Sequence, residues 1–184
     1  SAYFSSLFGK ILVKILISVY LSFFHKSIDK SPTRAYNERN QGEKKMISKE
    51  RIFEFISKQK TSFIASVDEE GFPNMKAMLA PRKIDGNRIY FTTNTSSLRV
   101  AQYRANPKAS VYFYNKGRFR YEGVMLIGTM EVLEDAETKE EIWRAGDTLY
   151  YKEGVADPDY CVLRFTAEKG RHYCAFKSQS FTLS

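Results

Sequence analysis

The sequence predicts a mainly β protein, in which antiparallel strands close or nearly close into a barrel with a few flanking helices. Apolar segments of strand length recur between turn signals, and the clearest signal is Asp85-Gly86-Asn87. The long segment 121–133 contains Gly123 and Gly128, which indicate the bends or bulges that a barrel wall requires. After residue 45, helical capping and periodicity are confined to a few short segments.

These elements follow one another from Met46 onward. Ser48 is expected to cap the first helix, and Pro81 interrupts the second strand because proline cannot donate to a strand ladder. Lys169-Gly170 is interpreted as the turn of a final hairpin. The predicted strands are 61–67, 74–84, 88–92, 109–114, 121–133, 160–167 and 172–176. The predicted helices are 48–59, 97–104 and 136–145.

Charge is distributed unevenly along the chain. The chain has 184 residues and a formal net charge of +8, and its length suits one domain with a sizeable core. Residues 1–45 hold eight Lys and Arg against three Asp and Glu, so they carry five of these net charges. Residues 46–184 are only mildly basic, which argues against a nucleic-acid partner.

Residues 1–45 are therefore treated as a leader, and residues 46–184 as the folded domain. The apolar run 15–24 is about half as long as a membrane-spanning helix, and no small-residue cleavage site follows it. Three interpretations stay open: an upstream region read in frame before a natural start at Met46, a membrane anchor, or a folded accessory segment. We expect a membrane partner only if the leader is native, and a cytoplasmic protein otherwise.

The familiar catalytic motifs are missing from this sequence. It contains no GxSxG, Walker, GxGxxG or HExxH pattern, and nothing places His25 or His172 beside a serine. Cys161 and Cys174 lack zinc-ligand spacing, and we interpret them as two buried thiols in consecutive strands. The sequence therefore assigns no catalytic residue and no metal ligand.

One stretch carries a candidate binding site, at the junction between strand 88–92 and the next helix. Thr92, Thr93, Ser96 and Ser97 supply hydroxyls there, and either serine could cap the helix. The free N–H groups of a helix start attract anions, and the forked guanidinium of Arg99 suits a phosphate. The alternative is an ordinary capped helix with a surface arginine.

Lys76 is the second candidate cation. Strand alternation places it on one face with Asn74 and Met78, whereas Met75, Ala77 and Leu79 lie on the other face. A short hairpin joins this strand to the one before Arg99, so both cations could face one pocket. A solvent-facing lysine is the alternative.

The order of the motifs is more specific than any single motif. The motifs occur along the chain in this order: Ala65-Ser66-Val67-Asp68, Gly71-x-Pro73-x-x-Lys76-x-Met78, Tyr90-Phe91-Thr92-Thr93, Ser97-Leu98-Arg99-Val100, Asn106-Pro107-Lys108-Ala109-Ser110-Val111 and Gly170-Arg171-His172-Tyr173-Cys174. Over about residues 46–180 this order resembles the FMN-binding split β-barrel superfamily, to which pyridoxamine 5'-phosphate oxidase belongs, and it is most similar to the general-stress-protein-26-like branch.

The resemblance implies a homodimer with FMN at the subunit interface and a small-molecule substrate. It places Lys76, Ser97 and Arg99 at the FMN phosphate, and Met78 with its neighbouring backbone along the isoalloxazine ring. The full set of implied cofactor-binding residues is Lys76, Ala77, Met78, Thr92, Thr93, Ser96, Ser97, Leu98 and Arg99.

Departures from the oxidase pattern limit the implied reaction. Leu98 replaces an arginine, Pro81 replaces a second basic residue, and Gly123 replaces a flavin-contacting glutamine. The oxidase's C-terminal substrate signature is also absent, so oxidation of pyridoxamine phosphate is not expected. We expect a flavin-dependent oxidoreductase for an unknown small substrate. The alternatives are a non-catalytic flavin-binding stress-response protein, or the same barrel binding the deazaflavin F420 or haem.

Overall fold

The fold comes from a computed structural model that describes residues 47–117 and 121–183. The leader 1–45, Met46 and His25 lie outside the described residues. The strands are β1 (Thr61–Val67), β2 (Pro73–Leu79), β3 (Lys83–Asp85), β4 (Arg88–Asn94), β5 (Lys108–Lys116), β6 (Tyr121–Leu133), β7 (Tyr160–Cys174) and β8 (Lys177–Thr182). The helices are α1 (Lys49–Ser57), α2 (Leu98–Ala105), α3 (Ala136–Ile142) and the 3₁₀ helices Ala145–Leu149 and Gly154–Ala156.

The strands form one antiparallel sheet that curls into a split barrel. Its order is β2-β1-β5-β6-β7-β4-β3, and β8 adds to β7. The end strands β2 and β3 are joined by residues 80–82 alone, a linker that spans at most about 14 Å. In a flat sheet, seven strands would separate these ends by roughly 28 Å. The sheet must therefore curve, which confirms the predicted antiparallel barrel with flanking helices.

An apolar core fills the inside of the curved sheet. The long strands β5, β6 and β7 contribute alternate residues to it, as the two-residue period of a strand dictates. Helix α1 buries Ile52, Phe55 and Ile56 against this core, and α2 buries Val100 and Tyr103. Both helices are thereby held by apolar burial as well as by their own backbone hydrogen bonds.

A second apolar cluster holds the loop between α3 and β7 against the sheet. The ring of Tyr160 packs edge-to-face on Trp143 at 5.0 Å and on Tyr151 at 4.8 Å. Tyr90 and Ile142 complete its buried part with Val162. Trp143 lies just after the end of α3, which is shorter than the predicted helix 136–145.

The predicted final hairpin is wrong. Strand β7 runs without interruption through Lys169-Gly170, and the chain turns instead at Ala175 and Phe176, whose φ angles are 48° and 63°. A Cβ on Gly170 would lie 2.7 Å from the carbonyl oxygen of Met125, so this glycine permits close approach within the strand. Cys161 and Cys174 consequently lie at opposite ends of one strand, and not in neighbouring strands.

Other elements differ less from their predictions. The predicted strand 74–84 is divided at residues 80–82, where Pro81 lies, and β4 continues to Asn94. The bulge expected in β6 is confirmed by a register shift between Ile127 and Gly128. A Cβ on Gly128 would overlap the carbonyl oxygen of Thr166, so a side chain cannot be accommodated there without moving the backbone.

Within the described part of the chain, every helix is too short or too polar to cross a membrane.

Candidate functional site

A cavity of about 330 Å³ lies between β2 and the start of α2. Lys76 reaches it from β2, and Arg99 reaches it from α2. A wider cavity of about 600 Å³ shares Asn74 and Leu98 with the first. The residues that line the smaller cavity are Ile64, Ser66, Asn74, Met75, Lys76, Ser97, Leu98, Arg99 and Tyr103.

Arg99 is a half-buried cation without a carboxylate partner among the described residues. Its Nη1 donates to Oγ1 of Thr93 at 3.0 Å and lies 3.3 Å from Sδ of Met78. Desolvation by burial lowers the pKa of the Arg99 guanidinium. Tyr103, Cys161 and Tyr151 offset part of this effect, and none of them is a carboxylate. An anion beside Arg99 would stabilise this charge, because partial burial weakens the screening of the guanidinium by water.

Ser97 adds an unsatisfied hydroxyl at the same place. It is the N-cap residue of α2, but its side chain accepts no capping hydrogen bond. Its Oγ is buried and has no hydrogen-bond partner among the described residues, which costs roughly 1–3 kcal/mol. The backbone N–H groups of Ser97 and Val100 donate to the carbonyls of Asn94 and Ser97, so at the start of α2 those of Leu98 and Arg99 lack intrahelical acceptors. Ser97 and the first turn of α2 therefore offer unengaged donors next to Arg99.

Lys76 and Ala77 point to opposite faces of β2, as alternation predicts. Lys76 is exposed and lines the cavity, together with Asn74. Ala77 lies opposite Phe63 of β1, on the outer face of the sheet. Any contact of Ala77 with a ligand in the cavity would therefore be made by its backbone.

Thr92 and Thr93 also face opposite sides of their strand. Thr93 contacts Arg99 beside the cavity, whereas Oγ1 of Thr92 accepts from Nε of Arg82 at 3.3 Å. Arg82 pairs in turn with Asp147 at 2.5 Å, and their side chains are 12% and 3% exposed. The structure therefore separates Thr92 from the cavity and shows a nearly buried ion pair that the sequence analysis missed.

Asp159 positions the loop that precedes α2. Its carboxylate accepts from the side-chain nitrogen of Asn94 at 2.7 Å and from the backbone N–H of Ser96 at 2.8 Å. These bonds, with Asn94 the larger cause, hold the pKa of the Asp159 carboxyl below its ordinary value. Ser96 is exposed and its N–H donates to Asp159, so this residue stabilises the loop. No local pattern indicated this contact, because 63 residues separate the partners.

Two departures from the oxidase pattern have structural counterparts. Leu98 is 72% exposed and lines both cavities, so an apolar side chain stands where a third cation was expected. A Cβ on Gly123 would overlap the hydroxyl of Tyr112, which lies on the neighbouring strand. Any side chain at residue 123 would therefore displace Tyr112.

The chain is thus a split-barrel protein with a cavity at a strand-to-helix junction, lined by two cations and several hydroxyl groups. The family model described as pyridoxamine 5'-phosphate oxidase matches residues 48–174, and the chain belongs to this family. A crystal structure from Clostridium acetobutylicum, of a protein related to general stress protein 26, is 38% identical with a TM-score of 0.65. The match covers 72% of this chain and 92% of that structure's chain, which confirms the resemblance to that branch.

Two further relatives are more distant or only partly covered. A curated pyridoxine/pyridoxamine 5'-phosphate oxidase from Allorhizobium ampelinum is 36% identical over 74 residues, which are 40% of this chain and 34% of that protein. The match thus spans about a third of the curated relative. A heme binding protein from Mycobacterium smegmatis is 15% identical with a TM-score of 0.57, covering 70% of this chain and 55% of its own, and shows the fold alone.

Proposed function

We propose that this chain binds FMN with its phosphate in the cavity beside Arg99, and acts as a flavin-dependent oxidoreductase on a small substrate. The observation that carries the proposal is the combination of Arg99, a half-buried cation without a carboxylate, and Ser97, whose buried hydroxyl has no partner. A phosphate would accept from both and would also attract Lys76. The family membership supports a phosphate-bearing ligand.

The remaining residues of the site bind and orient rather than react. When bound, the flavin supplies the electron and hydride transfer, and the protein supplies its position and surroundings. Sδ of Met78 contacts Arg99, which lines the smaller cavity, and Leu98 offers an apolar contact in both cavities. We assign no general acid or base and do not propose pyridoxamine phosphate as the substrate.

We further propose a homodimer that covers an apolar outer face of the sheet. Met75 and Leu79 on β2 are 70% and 64% exposed, and Tyr114 and Tyr121 are each 39% exposed. Phe63 connects the two groups, since its ring lies 5.8 Å from that of Tyr114. An apolar face of this kind marks an interface. Met75 also lines the cavity, so a second copy on this face would border the ligand.

The cytoplasmic location belongs to the same proposal. Cys161 and Cys174 lie at opposite ends of β7 and cannot pair with each other, which fits a reducing compartment. The mildly basic domain supports a small-molecule ligand rather than a nucleic acid.

The first experiment is the absorption spectrum of the purified full chain, before and after reconstitution with FMN. Bound flavin supports the proposal, whereas a colourless protein that cannot be reconstituted contradicts it. Haem is the second candidate, because a neighbour with the same fold is described as heme binding. A haem spectrum, or binding of a deazaflavin in place of FMN, would replace flavin as the cofactor.

The second experiment compares FMN with riboflavin, which lacks the phosphate. Arg99→Ala combined with Lys76→Ala removes one partly desolvated cation and one exposed cation, so FMN should bind about 30-fold more weakly or worse. Riboflavin affinity should change by less than about threefold. Arg104→Ala is the matched control, because Arg104 is on the same helix but pairs with Glu134 at 2.6 Å. Equal losses for both flavins would contradict the assignment.

Turnover separates an enzyme from a flavin-binding stress-response protein. The reconstituted protein should be reduced by NAD(P)H and should then reduce a small acceptor such as a quinone or nitroaromatic compound. Reduction followed by turnover supports the oxidoreductase. Tight FMN binding without turnover, across several acceptors, favours the non-catalytic alternative.

A further inference from the structure

Glu122, His172 and Cys174 form a compact cluster where β6 begins and β7 ends. Their ligand atoms all lie within 4.8 Å of one another, and Nε2 of His172 is 2.9 Å from Oε1 of Glu122. The strand register explains this proximity. Glu122 lies directly opposite Cys174, and Val124 lies opposite His172, so the three side chains share one face of the sheet. None of the three lines the cavity beside Arg99.

We propose that Glu122, His172 and Cys174 bind one divalent transition-metal ion of the zinc class. Thiolate, imidazole and carboxylate are the three side-chain groups that bind Zn²⁺ in proteins, and the sulfur ligand disfavours Mg²⁺ and Ca²⁺. Cys174 is 9% exposed, and the side chains of His172 and Glu122 are each 14% exposed. The ion would therefore lie just below the surface, with three protein ligands and a fourth position for water or another small ligand.

A neighbouring amide supplies an independent observation for that fourth ligand. Gln179 on β8 lies directly opposite His172, and its Nε2 is buried without a hydrogen-bond partner in the described part of the chain. The backbone N–H of Ile47 donates to the Gln179 oxygen at 3.3 Å, which fixes the orientation of the amide. Such a buried donor is costly unless it finds an acceptor. A metal-bound water or anion would provide one.

A bound ion would displace Arg51, the cation that pairs with Glu122. Nη2 of Arg51 lies 3.2 Å and 3.3 Å from the two carboxylate oxygens of Glu122. Its side chain is 46% exposed, so it can turn into solvent when the ion takes the carboxylate. Cys174 binds as a thiolate and releases its proton to solvent, and the charges of thiolate and carboxylate then balance those of M²⁺.

The test uses the purified full chain without added flavin, dialysed against a chelator and then titrated with CoCl₂ and ZnCl₂. We expect one ion per chain. Cobalt should produce a sulfur-to-metal charge-transfer band that zinc abolishes by displacement. Because the titration needs no FMN, failure here and failure of flavin binding are separate results.

Matched variants identify the ligands. Cys174→Ala should weaken Zn²⁺ binding more than about 100-fold and remove the sulfur band, whereas Cys161→Ala, which removes a buried thiol from the same strand, should change affinity less than about twofold. His172→Gln should weaken binding comparably, with His25→Gln as its control. Absence of stoichiometric binding overturns the proposal, and so does a sulfur band that persists in Cys174→Ala or is lost in Cys161→Ala.

A further variant keeps the test valid if Cys174→Ala fails to fold. Glu122→Gln preserves the shape of the side chain but removes its charge. Zinc should raise the Tm of the parent protein and raise that of Glu122→Gln much less, because only a bound ion couples zinc to folding. An equal rise in both proteins would overturn the proposal.

Discussion

Replacement of Ser97 by alanine tests the phosphate cavity without removing a charge. An N-cap serine normally stabilises its helix, and its replacement by alanine costs about 0.5–2 kcal/mol. In this structure the Ser97 side chain makes no capping bond, and its buried Oγ has no partner. The apoprotein therefore carries the cost of an unsatisfied hydroxyl, roughly 1–3 kcal/mol, that alanine removes.

The expected effects on stability and binding have opposite signs. The free energy of unfolding of the apoprotein should stay unchanged or rise by up to about 1 kcal/mol in Ser97→Ala, because part of the gain is lost to imperfect packing. FMN should bind about 10- to 150-fold more weakly, which corresponds to about 1.5–3 kcal/mol for a hydrogen bond to a charged phosphate. Riboflavin affinity should hardly change.

Ser48→Ala is the matched control for this experiment. Ser48 is the N-cap of α1, and its hydroxyl does accept from the backbone N–H of Arg51 at 3.3 Å. This variant should lose about 0.5–2 kcal/mol of stability and keep its FMN affinity. Urea unfolding of the apoproteins and calorimetric titration with both flavins provide the two measurements. The reasoning is refuted if Ser97→Ala destabilises as much as Ser48→Ala, or if both flavins weaken equally.

Three further predictions concern the frame of the site. Gly128→Ala should lower the Tm strongly, because its Cβ would overlap a backbone carbonyl of β7. The control Gly146→Ala meets open space and should leave the Tm unchanged. Equal Tm values for the two variants would contradict this prediction. Asp147→Ala should cost about 3 kcal/mol or more in urea unfolding, because it leaves Arg82 nearly buried without its partner; a loss below about 1 kcal/mol would contradict the buried pair. Asp159→Asn should be less stable than the parent at pH 7. Because the pKa of that carboxyl is lowered from 3.8, this difference should shrink as pH falls below about 4, and a difference that persists in acid would exclude the carboxylate as its source.

Elements with strong local signals could be predicted from the sequence. The bounds of β1 and β6 agree with the predicted segments 61–67 and 121–133, and Ser48 caps α1 as expected. These features depend on alternation and on hydrogen bonds within a few residues, which a local pattern contains. The order of such elements also carried the resemblance to the family, which the comparisons confirmed.

Gly170 shows why the last hairpin could not be predicted in the same way. A glycine after a lysine is typical of a turn, but here it makes room for the Phe181 ring and for a carbonyl of β6. The need for a glycine here comes from Met125 and Phe181, which lie 45 and 11 residues away on other strands. The local sequence therefore favours a turn where the structure has a continuous strand. This predicted turn would place Cys161 and Cys174 in separate strands.

The candidate site likewise has features that the local sequence predicts and features that only the folded chain shows. The stretch 96–99 and Lys76 were identified from residue type and spacing, and they line or border one cavity in the structure. Their role as FMN ligands stays a prediction. The opposite orientations of Thr92 and Thr93 follow from alternation, but which of them faces the cavity depends on where β4 lies in the sheet.

The sequence by itself determined the antiparallel β class, most elements as far as α3, the family and the stretch that begins α2, because periodicity, caps and turns act over a few residues. Only the tertiary structure decided that Ser97 is buried without a partner, that Asp159 positions the loop, and that Glu122 meets His172 and Cys174. These contacts join residues 50 or more positions apart or depend on burial. They are set by strand register, and register is determined by the packing of the whole core.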